Sequence, residues 1–287
     1  MVEVPDEARR RLVARFGPEV SGWLDDVPGR VARLAHRWGL ALDGTVLSGN
    51  SALVLPADRG VLKLHPDPTI AATEAAALEH WAGAPHVVDL LAHDDGALLL
   101  DRLRPGTALP AGTGVPALLP AVRDLWTADP VAPPDLPPLA DRVAFWLGRV
   151  REQVVDDARV RARMPLEALD RGHAAATALA ARPGHHGVVH GDLHPANVLA
   201  GPAGPVVIDP RPHVGDRTFD LVDLVLVDPP GRDAAVAALA RALDGLDADL
   251  LHAWCRALAP ATAVAALRTA PDAPRTAALV RSVQHPG

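Results

Sequence analysis

One stretch constrains this chain more than any other. Val188-Val-His-Gly-Asp-Leu-His-Pro-Ala-Asn-Val-Leu199 is followed, after a Gly-Pro turn at 201–204, by Pro205-Val-Val-Ile-Asp209. The pattern predicts two short strands around a loop, with three polar groups at their mouths. Asp192 offers a carboxylate able to orient or deprotonate a hydroxyl. Asn197 and Asp209 offer an amide oxygen and a carboxylate, hard oxygens suited to Mg²⁺. Phosphoryl transfer needs this set, a positioned acceptor and a metal that offsets phosphate charge. Taken singly, each residue has a plainer reading. Gly-Asp is common in turns, Asn197 can cap a strand start, and Asp209-Pro210 can simply end a strand. Their joint spacing carries the inference.

The rest of the composition narrows the setting. A chain of 287 residues has room for one large or two small domains with a real core. A net charge of −7 argues against a nucleic-acid binder. The lone Cys255 excludes an internal disulfide and any cysteine-based zinc site, which fits a reduced, cytoplasmic setting. The acidic start Met1-Val-Glu-Val-Pro-Asp-Glu is unlike a signal peptide, and no uninterrupted apolar run has the length of a bilayer span. Of 28 basic residues only Lys63 is lysine, and asparagine occurs twice, at Asn50 and Asn197. A residue type that persists at one position against such a bias is a candidate for a chemical requirement.

Along the chain, Glu7–Phe16 and Pro28–Gly39 show helical spacing, and Leu40–Leu47 reads as a strand. Ser48-Gly49-Asn50-Ser51 is a turn of small polar residues before strands at Ala52–Leu55 and Gly60–Leu64. Kinases lay backbone N–H groups over ATP phosphates with this arrangement of strands and loop, and a plain β-hairpin has the same pattern. Lys63 sits between apolar neighbours, where its compact ammonium can stand between phosphates and a carboxylate. A merely solvent-facing position would carry arginine in this chain. Thr69–Trp81 is predicted helical, with Pro68 before it and Gly83 after. Strands are expected at Val87–Ala92 and Gly96–Leu100. Beyond Val115 helices are predicted at Val115–Thr127, Leu139–Asp156, Pro165–Arg182, 220–227, Arg232–Leu243 and Ala248–Leu267, with a tail from Pro271 that frays. His185, His186, His190 and His194 lie close together, but glycines interrupt the spacing that zinc requires. His190 is expected to brace the loop through its ring nitrogens.

His190-Gly191-Asp192, then Asn197, then Ile208-Asp209 resembles the catalytic signature of aminoglycoside phosphotransferases and related small-molecule kinases. Asp209-Pro210-Arg211-Pro212, Gly215-Asp216 and Phe219-Asp220-Leu221 are most similar to the streptomycin 6-phosphotransferase and hydroxyurea phosphotransferase branch. The resemblance spans Gly44 to Asp228. It implies an α/β (α+β), bilobal protein-kinase-like fold, with an antiparallel β-sheet N-lobe at 1–103 that binds ATP. A mainly helical C-lobe at 104–287 would hold the catalytic and substrate-binding groups. Ser48, Asn50 and Ser51 would cover the phosphates, and Lys63 would hold them with Glu74 as its partner. Glu79 competes for that pairing, and spacing does not choose. Leu100 would back the adenine, while the Asp101 carbonyl and Leu103 amide bond its edge. Asp192 would be the catalytic base, Asn197 and Asp209 the Mg²⁺ ligands, and Asp220 a brace beneath the loop. The lack of Phe after Asp209 removes a switch that protein kinases use, so constitutive activity is expected. The implied acceptor is cationic, streptomycin or a related aminocyclitol, and the implied role is antibiotic resistance. Another small acceptor (hydroxyurea, a sugar, an amino alcohol) is the first alternative, and a non-catalytic nucleotide-binding module is the second.

A polycationic acceptor calls for carboxylates. Residues 1–103 hold 15 acids and 10 bases, and residues 104–287 hold 20 and 18, so the negative excess lies on the ATP lobe. Selectivity is therefore expected from local carboxylates, with Asp156, Asp157 and Asp216 as candidates. Neither a nucleic acid nor a membrane is expected as a partner, and composition leaves oligomeric state undetermined.

Overall fold

The computed structural model describes residues 2–48, 51–110, 113–129, 131–182 and 186–284, with backbone alone for Ser48 and His186. Two amphipathic helices open the chain, α1 (Asp6–Phe16) and α2 (Val20–Trp38). Val20, Leu24, Val27 and Val31 recur at helical spacing on α2, and all four are buried. They cover one face of an antiparallel sheet built from β1 (Leu47–Ser48), β2 (Leu53–Pro56), β3 (Val61–Leu64), β4 (Leu90–Asp94) and β5 (Ala97–Leu100) in the order β1-β2-β3-β5-β4. α3 (Pro68–His80) crosses between β3 and β4, started by Asp67, whose side chain accepts from the Thr69 amide at 2.9 Å, and by Pro68 in the first turn.

Strand alternation then decides which way Lys63 points. Leu53, Leu55, Leu62, Leu64, Ala97 and Leu99 pack with α1 and α2, whereas Leu98 and Leu100 pack with Ala71, Ala75 and Leu78 of α3. Lys63 stands opposite Leu98 in the β3–β5 register and so shares the α3 face.

The remainder is mainly helical: α4 (Val115–Thr127), α5 (Leu139–Asp156), α6 (Ala158–Arg163), α7 (Leu166–Ala180), the short α8 (Val222–Val225), α9 (Arg232–Ala242), α10 (Ala248–Thr269) and α11 (Pro274–Gln284). Two small antiparallel pairs sit among them, β6 (His186–Val189) with β9 (His213–Asp216), and β7 (Val198–Gly201) with β8 (Gly204–Val207). The segments on either side of the lobe connection lock onto the second pair. Val88 N donates to Val207 O at 3.0 Å, and Gly106 N to Ala200 O at 2.9 Å. β7 and β8 carry Asn197 and Asp209 at their ends, so these bonds fix both residues against the hinge region.

Several predicted elements change. α2 begins at Val20 rather than Pro28, with Pro28 inside it; the buried stripe outweighs the bond that a proline removes. Leu40–Leu47 is no strand: only Leu47 joins the sheet, and Leu42 forms a single bridge to Ala57. From Pro274 to Gln284 the tail is helical rather than frayed, because α11 buries Thr276, Leu279 and Val280. α10 is long and apolar enough to cross a membrane by length and composition, yet 67% of that window is buried inside the protein.

Candidate active site

Lys63 is the centre of a buried charge cluster. Its Nζ donates to Glu74 Oε1 and Oε2 at 2.6 and 2.8 Å and to Asp209 Oδ1 at 2.7 Å. Burial alone would neutralise all three groups, but their mutual attraction outweighs it. Lys63 is held above its usual value by Glu74 and Asp209, and both carboxyls are held below theirs by Lys63. His65 Nε2 lies 3.0 Å from Glu74 Oε2, and burial keeps His65 below its ordinary pKa. Glu74 is therefore the partner of Lys63. Glu79 stands exposed, with His93 3.2 Å away.

The loop after β6 is braced from two sides. Asp220 accepts from the His190 and Gly191 amides at 2.6 and 2.8 Å, which is the bracing position expected of it. Burial pushes its carboxyl up to about 7 against the pull of those amides. Gly191 adopts φ +74°, and a Cβ there would lie 2.0 Å from the Arg211 carbonyl, so the turn requires glycine. His190 Nε2 faces the Ile208 carbonyl at 3.0 Å, and its Nδ1 accepts from the Asp192 amide at 3.3 Å. A carbonyl can only accept, so Nε2 carries the proton and the ring is neutral. Burial agrees, lowering His190 to about 4.

Asp192 projects from this braced loop and is part-exposed. Asn197 Nδ2 donates to the Asp192 carbonyl at 2.9 Å and to its Oδ2 at 3.3 Å. Arg142 of α5 lies 3.6 Å from Oδ1, and His194 lies 3.9 Å from Oδ2. Arg211 donates to the Ser51 hydroxyl, tying the segment after Asp209 to the loop before β2. Arg15 of α1 belongs to the same neighbourhood. Burial, then repulsion from Arg211 and Arg142, lowers its pKa, while Asp192 opposes that. Of these three arginines only Arg142 contacts the carboxylate, and none was foreseen from sequence, since they are distant along the chain and arginine is common in it.

Asp209 itself has φ +59°, a left-handed conformation unusual for a residue other than glycine. Asn50 falls outside the described residues. At the connection between lobes, the Asp101 amide donates to Asp89 O at 2.9 Å. Among the described residues, the Asp101 carbonyl and Leu103 amide bond no other backbone group.

Of the three carboxylates expected to meet the acceptor, Asp157 and Asp216 hold local partners. Asp157 caps α6 through the Arg159 and Val160 amides, and Asp156 is exposed at the end of α5. Asp216 caps the turn at Thr218 and accepts from Trp254 Nε1 at 2.8 Å. Two other acids line the space beside Asp192, the amide-bound Asp220 and Asp223 of α8. Asp223 shares this cavity of ≈ 80 Å³ with Arg142, Trp146 and Asp192.

The donor set fits Mg²⁺. The Asn197 amide nitrogen is engaged, which leaves its oxygen for a cation, and Asp209 is ionised. Among the described residues no group of three or more His, Cys, Asp or Glu side chains could hold a metal. That suits an ion taken by one or two protein oxygens together with substrate phosphates.

Residues 37–269 match the family model described as "Aminoglycoside/hydroxyurea antibiotic resistance kinase". The chain is 34% identical over 276 residues to the hydroxyurea phosphotransferase of Kitasatospora aureofaciens, covering 88% of this chain and 77% of that one. It is 34% identical over 233 residues to the streptomycin 6-kinase of Streptomyces griseus, covering 77% and 73%. Among solved structures, an apo thermostable mutant of aminoglycoside phosphotransferase APH(4)-Ia shares the fold at TM-score 0.58 and 19% identity, covering 87% of this chain and 97% of that one. The match across most of the chain, with the bilobal fold and the residues gathered between its lobes, makes this protein a member of the aminoglycoside/hydroxyurea antibiotic resistance kinase family and a small-molecule phosphotransferase.

Proposed function

We propose that the chain transfers the γ-phosphate of ATP to a hydroxyl of a small molecule of the class its relatives are named for, streptomycin or hydroxyurea, as a resistance enzyme acting in the cytoplasm. The lobes divide near residue 103, with ATP between them. The observation that carries this reading is the pairing of an ion cluster at Lys63, Glu74 and Asp209 with a braced, accessible Asp192 beside Asn197.

In this reading Lys63 holds the α/β-phosphates, and Glu74 keeps its ammonium charged and aimed. Ser48, Asn50 and Ser51 lie in the loop over the phosphates, with Arg211 and Arg15 near enough to offset their charge. The Asp101 carbonyl and Leu103 amide bond the adenine edge. Asn197 and Asp209 would hold Mg²⁺, which supplies charge neutralisation at the phosphates. Asp192 orients the acceptor hydroxyl. As the acceptor oxygen bonds to the γ-phosphorus, the bond from that phosphorus to the β–γ bridging oxygen breaks and ADP departs. The hydroxyl proton passes to Asp192. Positioning and charge offset supply most of the acceleration, because this transition state asks for little covalent help.

ADP release tests the proposal, measured with ATP and Mg²⁺ over streptomycin, hydroxyurea, choline and a neutral sugar. Turnover of streptomycin or hydroxyurea is expected. ATP binding without turnover of any acceptor would favour the non-catalytic module, and turnover confined to choline or the sugar would favour a kinase of another acceptor class.

A further inference from the structure

The acceptor side of the site holds one charge that the protein leaves unmatched. Asp223 projects from the first turn of α8 into the ≈ 80 Å³ cavity, and the same cavity is bounded by Asp192, Arg142, Trp146, Leu193 and Phe219. The cavity's guanidinium, Arg142, lies 3.6 Å from Asp192 Oδ1, and His194 also approaches Asp192. Arg275, a further neighbouring cation, donates its Nε to the Leu226 carbonyl at 3.1 Å. Among the described residues the Asp223 carboxylate forms neither a hydrogen bond nor an ion pair. The Asp223 side chain is half-buried, so its carboxylate keeps a face open to the cavity while its surroundings raise its pKa by desolvation. Asp220, three residues earlier, lines the same cavity but is buried and satisfied by two amides. The contrast marks Asp223 as a group kept for something that enters the cavity.

What would enter follows from the walls. A carboxylate accepts only, so the visiting group must donate. The cavity has room for one small polar group rather than a whole aminoglycoside. The partly exposed Trp146 offers an aromatic surface to a cation. We propose that Asp223 is the specificity-determining carboxylate of the acceptor site, receiving a guanidinium or ammonium group of the acceptor while a neighbouring hydroxyl reaches Asp192. This rests on the phosphotransferase reading in calling the visitor an acceptor.

The test separates binding from transfer. Streptomycin is titrated calorimetrically into the protein saturated with a non-hydrolysable ATP analogue and Mg²⁺. Asp223→Asn is expected to weaken binding about ten- to a hundredfold, the range of a lost charge-assisted hydrogen bond. Asp223→Glu should recover most of it, and Asp156→Asn should leave it unchanged. Hydroxyurea, which is uncharged, should change less than about threefold in KM for ADP release. Thermal melting of each variant separates lost charge from lost fold. No measurable streptomycin binding to the unmodified protein, equal affinity in Asp223→Asn, or equal losses for streptomycin and hydroxyurea would overturn the proposal. Binding that depends on Asp223 without phosphate transfer would refute the phosphotransferase reading and leave the contact standing. Transfer to streptomycin with binding indifferent to Asp223 would do the reverse.

Discussion

The two sides of the cleft are built differently. On the nucleotide side the polar groups are mutually satisfied at 2.6 to 2.8 Å, with Lys63 enclosed by Glu74 and Asp209. On the acceptor side the contacts are long, 3.6 Å from Arg142 to Asp192 and 3.9 Å from His194, and Asp223 has no partner among the described residues. In the proposed reaction a tight cluster is pre-organised for a ligand common to every turnover. A loose and incompletely matched one leaves interactions for the acceptor to make, which is where substrate selectivity is decided.

Asp192→Asn breaks the acceptor side most severely. It keeps the shape and removes the base, so kcat should fall by about 10²–10⁴ with ATP binding nearly unchanged. Retained turnover would return Asp192 to a turn residue. Lys63→Met attacks the nucleotide side instead. It strands Glu74 in the interior, and chemical denaturation should register a loss of about 3–5 kcal/mol, more than any acceptor-side change. Lys63→Arg keeps the charge but not the geometry, so kcat should drop further than stability does.

A pH prediction sharpens the view of the brace that both sides share. Because His190 is lowered to about 4 from 6.5, the folded state binds fewer protons than the unfolded state between those values. Stability contributed by the neutral ring is complete above about 6.5 and declines by up to about 3 kcal/mol as pH falls to about 4. In His190→Asn this part of the acid limb should flatten, read as the difference between variant and wild-type stability at each pH; parallel curves would contradict it. The smallest effect is expected at Arg142. A 3.6 Å contact to a part-exposed carboxylate contributes at most about 1 kcal/mol, so Arg142→Gln should change kcat by less than about tenfold. A larger loss would show that the acceptor side is as tightly coupled as the nucleotide side.

Much of the nucleotide side was legible because its parts are local. A lone lysine among apolar neighbours, a helix with a proline start, and Asn197 and Asp209 in one short segment announce themselves along the chain, as does Asp192 of the acceptor side just before them. The choice between Glu74 and Glu79 was not legible, since both lie on α3 and only the angle at which that helix crosses the sheet brings one of them to Lys63. The surroundings of the candidate acceptor carboxylates were not legible either, for a related reason. Asp156, Asp157 and Asp216 are near the right elements, but the first is exposed at a helix end and the others satisfy local backbone amides. Asp223 looks like an ordinary first-turn acid of a helix, and no local pattern distinguishes it. The helix from Pro274 was missed because its apolar positions are few and acquire meaning only against α10.

By itself the sequence determined which side chains are available for the proposed holding of phosphate, metal and hydroxyl, and the strand and helix periodicities that present them. Those properties depend on neighbours within a few residues, where bond geometry alone dictates direction. The tertiary structure alone decided the partnerships. It set Lys63 between Glu74 and Asp209, brought Arg142 to Asp192 and Arg211 to Ser51, satisfied Asp220 and left Asp223 without a partner among the described residues. The physical reason is that desolvation and charge pairing depend on what surrounds a group in space, and residues far apart in the chain supply those surroundings.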